Sequence, residues 1–375
     1  MTKKTGIACG ILVLALVSLL VSEFPFWIET GDSGETAGNE KSSNDGLGRD
    51  PEGDAISEKP QESLSESVQD LWNSVLAARD GASAKEALAR LRENLSKSEN
   101  SESLVIALWN SSADSYLNSD FSLGRNGQLL SASSSRAMLL SLLAEYAPEF
   151  ALSEARGLLE NTESAEVHSI AMQTVSRLTE NLGSQDSLYS AINYHLTEEN
   201  WLAAPSNGYL QGFDLAVAHP SSEQVSILLT LESSGEDGSV SYAARLVLDR
   251  WGEQDYVWTI EEITTSPVFW EVDFRLRAQT FARANPRSEL ELDLLVGHLE
   301  NPKTSLEEAQ RTLSLYPLIS NHVSTNLVTV SRAPNHNDAK ETVALASEWL
   351  REFAENTSRP ELVATITKRA DHLSQ

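Results

Sequence analysis

The alternation of apolar and polar residues changes character twice along the chain. From Gly6 to Val21, GIACGILVLALVSLLV, no residue is charged and most are large and apolar. Lys3 and Lys4 precede this run, and Glu23, Phe24, Phe26 and Trp27 follow it. Those 16 residues would rise about 24 Å as a helix, short of a hydrocarbon core of about 30 Å. Continued to Ile28, with Glu23 at the headgroups, the segment is long enough to span, and its aromatics suit an interfacial belt. Cleavage after Ser22 would put Leu20 where a small residue is wanted. Lipidation at Cys9 would need the apolar stretch before the cysteine, not after it. Residues 1–28 are therefore expected to form an uncleaved signal anchor, a single-pass transmembrane helix in the cytoplasmic (inner) membrane. Its lysines would stay on the cytoplasmic side, and the rest of the chain would be exported, to the periplasm or the cell exterior.

The apolar run then gives way to a segment with almost no large apolar residues. From Glu29 to Glu62, Gly, Ser, Asn, Asp and Glu dominate, and Leu47 and Ile56 are nearly alone. Such a composition cannot bury enough surface to offset its ordering entropy, so residues 29–62 read as a disordered, acidic, self-repelling linker. Gly31-Asp32-Ser33-Gly34 matches the surroundings of a serine-protease nucleophile. A histidine and an aspartate would have to precede it on a folded scaffold, and only the anchor does.

Past Ser63 the period becomes helical. Apolar residues recur three and four apart, as at Ala84, Leu88, Leu91 and Leu95, or Val343, Ala346 and Leu350. Capping patterns punctuate the run: Ser63…Glu66, Ser83…Glu86, Ser221…Gln224, Ser305…Glu308, Asp338…Glu341 and Ser358…Glu361. Pro148, Pro220, Pro267 and Pro360 stand where helices are expected to begin. The best strand candidate, Val225–Leu231, carries a capping signal that favours helix. Residues 63–375 are thus expected to be all-α.

Within this region a pattern repeats. Val167, Ala171, Val175 and Leu178 take steps of four, four and three, and so do Val240, Ala244, Leu248 and Trp251. Ser305, Ala309, Leu313 and Tyr316 follow the same steps. The central alanines lie 73 and 65 residues apart, about two helix hairpins in each case, so one further hairpin is expected between each pair. This resembles the second helix of HEAT-like repeats, with a small or β-branched opener and an alanine where helices touch. The resemblance covers three units, and the usual Asp and Arg of the motif are missing from most of them. It implies an α-solenoid of antiparallel helix pairs.

Charge and chemistry narrow the function by exclusion. The chain has 55 acidic against 28 basic residues, a net charge of -27, of which -9 falls between residues 29 and 70. That field repels polyanions, excludes nucleic acid as a partner and points to basic partners or a salty milieu. Cys9 is the single cysteine, so there is no intramolecular disulfide, no Cys-rich zinc site and no cysteine nucleophile in the exported part. The seven histidines show no HExxH or His-x-x-x-His spacing, and no GxSxG or GxGxxG occurs. No catalytic residue, metal or cofactor is expected. His168, beside Val167, reads as packing or surface, and His195 as a charge partner at a helix end with Glu198 one turn on.

Two segments stand apart. Residues 118–135, NSDFSLGRNGQLLSASSS, are polar and glycine-bearing between good helices and read as a widened connection. Residues 251–273 interleave Trp251, Tyr256, Trp258 and Trp270 with Asp255, Glu261, Glu262, Glu271 and Asp273. Aromatic faces beside paired carboxylates are what a glycan cleft uses, with Trp251, Tyr256, Trp258, Glu262, Trp270 and Glu271 as its candidate residues. Core packing is the simpler reading, since Trp251 occupies the repeat position of Leu178. The leading expectation is a membrane-anchored protein-interaction scaffold offering an extended concave surface. A cell-envelope glycan-binding or glycan-cleaving helical domain is the alternative.

Overall fold

A computed structural model describes residues 61–124, 128–179, 186–234, 238–318 and 339–375. The expected anchor, and all of the linker but its last two residues, lie outside them. Among the described residues there are seventeen α-helices and two very short strands, so the fold is all-α. None of these helices is long and apolar enough to cross a membrane.

Helices α1 (Gln61–Leu76) and α2 (Gly81–Ser96) form a hairpin, as do α3 (Ser101–Ser111) and α4 (Ser135–Tyr146). The buried stripe of α2, Ala84, Leu88, Leu91 and Leu95, is the one its sequence period marks. Its cap is not Ser83: Asp80, one turn earlier, accepts the Ser83 amide at 2.8 Å. An acidic side chain there also complements the positive end of the helix.

Between α3 and α4 the polar connection is built rather than loose. Strands β1 (Ser122–Leu123) and β2 (Leu129–Ser131) pair antiparallel, and Tyr116 bridges to Ser134. Arg92 on α2 donates to the Leu129 carbonyl at 2.8 Å and to Glu145 on α4 at 2.9 Å, which pins the hairpin to both helices. Asp114 accepts from Ser134, Ser135 and the Arg136 amide, and so fixes the start of α4.

The remaining helices pair in chain order. They are α5 (Pro148–Asn161) with α6 (Ala165–Thr179), then α7 (Asp186–Thr197) with α9 (Asn207–Ala218), joined through the short α8 (Glu199–Ala203). Next come α10 (Ser222–Ser234) with α11 (Gly238–Gln254), then α12 (Tyr256–Thr265) and α13 (Phe274–Phe281), tied by the Tyr256 hydroxyl on the Phe281 carbonyl, and α14 (Glu289–Leu299) with α15 (Leu306–Leu315). The last pair is α16 (Ala339–Asn356) with α17 (Val363–Leu373). From α4 onward the second helix of one pair also packs on the second helix of the next: α4 on α6, α6 on α9, α9 on α11, α11 on α13, α13 on α15, α15 on α17. The first helices touch in turn from α7 to α10, α12 and α14.

Local chemistry explains several of these boundaries. Ser305 caps α15 by accepting the Glu308 amide at 3.1 Å, and Ser221 takes the Gln224 amide at 3.4 Å, both as the sequence pattern requires. Pro148 opens α5 and Pro360 opens a 3₁₀ turn, whereas Pro267 sits in the turn after α12 and starts no helix. Val225–Leu231 is helical, within α10.

Two junctions carry the packing. In the first, α9 lies so close to α6 and α7 that a Cβ added at Gly208 would meet Glu166 Cα at 2.8 Å. One added at Gly212 would meet His195 Nε2 at 2.6 Å. These glycines are one turn apart, so their absent side chains open one face of α9. In the second junction, Arg277 of α13 makes a two-pronged bond to Glu308 of α15, at 2.8 and 2.7 Å, with both side chains buried. A third nitrogen of Arg277 donates to the Val272 carbonyl at 2.6 Å. Arg283, just after α13, reaches back to Asp249 on α11 at 2.5 Å. Buried ions hold only when their hydrogen-bonding valence is filled, and for Arg277 it is.

Candidate functional site

The six residues expected to form a glycan cleft fall into different surroundings. Trp251 and Tyr256 are core residues, 1% and 5% exposed. Trp251 donates its indole N–H to the Ala216 carbonyl at 3.1 Å, and Tyr256 donates its hydroxyl to the Phe281 carbonyl at 3.1 Å. Both polar ends are thereby used to tie neighbouring helices together. Trp258 is half-buried and meets Trp251 edge-on, ring centres 5.5 Å apart. Glu262 is half-buried on the same helix, and Glu271 is exposed. Trp270 lies in the turn before α13, edge-on to Phe269, with Arg277 and Lys303 at 5.3 and 5.5 Å from its ring centre. The structure therefore brings Trp251, Tyr256 and Trp258 to the α11–α12 corner, and gives Trp270 basic neighbours from the α13–α15 junction.

A pocket of about 450 Å³ opens at that same corner. Asp255 and Tyr256 from the start of α12, Arg283 and Arg287 after α13, Glu291 on α14 and Leu318 after α15 contribute to its lining. Asp255 caps α12 through the Trp258 amide at 3.0 Å. Ser288 caps α14 by accepting the Glu291 amide at 3.4 Å, while the Glu291 carboxylate reaches back to the Asn285 amide at 2.9 Å. Burial pushes the Glu291 carboxyl above the ordinary carboxylate range; the Asn285 amide and Ser288 pull it back, and the charge of Asp255 adds to the rise. Burial likewise pushes the Tyr256 and Tyr316 hydroxyls up, with Glu291 contributing to both. Two polar atoms here are buried without a partner: Nη2 of Arg283, whose Nε is committed to Asp249, and the hydroxyl of Tyr316. The site thus offers carboxylate acceptors, an unsatisfied guanidinium donor and a few apolar side chains within a mostly polar lining. Among the described residues no group of His, Cys, Asp and Glu is arranged to hold a metal ion.

The histidine expectations change most. His195 is fully buried and does not pair with Glu198; it faces the other way. Its Nε2 stands 2.9 Å from the Tyr209 carbonyl, which can only accept, so Nε2 carries the proton. Nδ1 of His195 is then bare and accepts from Nδ1 of His168 at 3.0 Å, which leaves Nε2 of His168 buried and unpartnered. Burial holds both imidazoles well below the ordinary histidine value, and the charge a protonated His168 would carry adds to the effect on His195. Tyr194, Trp201 and Tyr209 surround the pair with rings, and Tyr209 stacks on His195 at 5.3 Å. His168 is accordingly a packing residue, of the kind its neighbour Val167 suggests.

Sequence reasoning passed over Arg283 and Glu291. Glu291 had a legible signal, the capping pattern Ser288-Glu-Leu-Glu291 after Pro286. Arg283 had none, because its partner Asp249 lies 34 positions away and no local pattern joins them. A scan against family models finds no match, and neither curated proteins nor solved structures yield one.

Proposed function

We propose that this protein is a membrane-anchored, exported scaffold in which an α-solenoid of HEAT-like helix pairs binds a protein partner. One observation carries the solenoid: each helix pair packs on the next in chain order, and its second helices form an unbroken series from α4 to α17. An array of this kind gains surface rather than a single core as it lengthens, and surface is what a scaffold needs. The positions of Ala171, Ala244 and Ala309, all fully buried on α6, α11 and α15, support the repeat spacing, with α9 and α13 as the intervening second helices. The uncharged run of residues 6–21 supports the anchor, and the net charge of -27 favours a basic partner.

The test is site-directed photo-crosslinking of the full chain in membranes. Large apolar residues stay exposed on second helices, Tyr242, Leu306 and Val363, and on first helices, Tyr194 and Leu290. A photo-reactive residue at each position is expected to give one discrete protein adduct from one of these two sets and not the other. Absence of any adduct, or equal smears from both sets, would sink the scaffold reading. Loss of membrane association on deleting residues 1–28 is expected from the anchor.

A further inference from the structure

We propose that the pocket beside Asp255 and Glu291 receives a lysine side chain of the partner protein. This rests on the scaffold reading and gives it a chemical address.

Charge comes first. None of the ion pairs among the described residues uses Asp255 or Glu291, although basic groups stand close by. Arg283 is taken by Asp249, Arg287 by Glu341 at 2.7 Å, and Arg250 by Glu253 at 2.6 Å. Asp255 at the start of α12 and the half-buried Glu291 of α14 line one pocket, and neither carboxylate is in an ion pair among the described residues, so the site keeps unpaired negative charge. A compact ammonium can be shared by carboxylates from two different helices, whereas the planar fork of arginine is matched to a single carboxylate approached along two bonds.

Shape and the orphaned donor complete the match. Tyr256, Val257, Pro286, Pro317 and Leu318 form the apolar part of a lining that is otherwise polar, and that part suits the four methylenes of a lysine stem. Its volume of about 450 Å³ falls in the range of pockets that enclose small ligands. Arg283 is nine-tenths buried, lines this pocket and keeps Nη2 without a protein acceptor. A buried donor left unmade is costly, and a peptide carbonyl flanking the lysine would satisfy it. A free amine would fill only the acidic part of such a site.

The experiment titrates the full chain with Nα-acetyl-lysine N-methylamide, followed by calorimetry, against the norleucine analogue that lacks the ammonium. Saturable binding of the lysine compound alone is expected. Glu291→Gln and Asp255→Asn, each checked for an unchanged thermal transition, should bind about tenfold more weakly. Glu262→Gln and Glu271→Gln, outside the pocket lining, should bind as the parent does. No saturable binding, equal binding of the norleucine analogue, or equal loss in all four variants would overturn the proposal. Crosslinking separates this failure from that of the scaffold: a partner adduct in the absence of lysine binding removes only the pocket assignment. Lysine binding in a protein that gives no adduct removes the partner.

Discussion

The α6–α7–α9 junction and the α13–α14–α15 junction each bury a histidine against an aromatic ring, yet they close by opposite means. In the first, His195 stacks on Tyr209 and bonds to His168, and Gly208 and Gly212 let the helices meet. In the second, His298 stacks on Phe281 at 3.8 Å, and a buried Arg277–Glu308 pair joins the helices. Removing a side chain makes a junction that tolerates no addition. Filling one with paired charges makes a junction that tolerates no subtraction. The failure modes should differ accordingly, and that is measurable.

The largest expected effect is at the charged junction. Glu308→Ala leaves a buried guanidinium without its counter-ion and should cost about 3–5 kcal/mol by urea unfolding. Replacing both partners together, Arg277→Met with Glu308→Leu, should recover most of that loss. If the double replacement is no better than the single, the pair is not what holds the junction. Gly212→Ala should cost about 1–3 kcal/mol, because the new methyl strikes the His195 ring. A neutral outcome there would mean that α9 can back away freely.

Acid should act through the histidines. Burial holds His298 down to about 3, with Arg277 and Arg359 adding to the effect, and it depresses His168 and His195 as well. Glu308, 3.5 Å from His298, is already committed to Arg277 by two hydrogen bonds. An imidazole that stays neutral when folded but protonates when unfolded makes stability fall as the pH drops. The loss begins near the ordinary value of 6.5 and continues, for His298, toward 3. Burial raises the carboxyl of Glu166, so its burial cost is relieved on protonation and partly offsets the loss at the acid end. His298→Gln should flatten the slope of stability against pH between 6 and 4; an unchanged slope would assign the acid sensitivity to the other junction. The smallest effect belongs to neither junction. Glu145→Gln loosens the partly exposed Arg92 pair at the β1–β2 hairpin and should cost about 1 kcal/mol or less.

The sequence shows helices better than it shows what joins them. The stripe of α2, the caps at Ser221 and Ser305 and the core position of Trp251 follow from spacing within a few turns, and spacing is what a sequence displays. The capping of α2 slipped by one turn because Asp80 and Ser83 are both competent, and only the geometry of the preceding turn chooses between them. His168 meets His195 across 27 positions and Asp249 meets Arg283 across 34, so no local period can foretell either contact. The aromatic cluster is visible in the sequence, but only part of it stays together: Trp251 meets Trp258, whereas Trp270 sits between Phe269 and the basic Arg277 and Lys303. The pocket at its edge takes residues 252–257 from that segment and the rest of its lining from three others, around Arg283 to Glu291, at Pro317 and Leu318, and at Thr342.

The chain-order packing of helix pairs has a mechanical consequence. In a molecule where each pair leans on its neighbours in turn, the end pairs have one flank to lose and the middle pairs have two. Backbone amides should then exchange in a gradient, slowest near α9 and α11 and fastest at the two ends. Tension applied through residues 1–60 would be felt first by the α1–α2 hairpin, which would peel away as a unit while the junctions behind it stay closed.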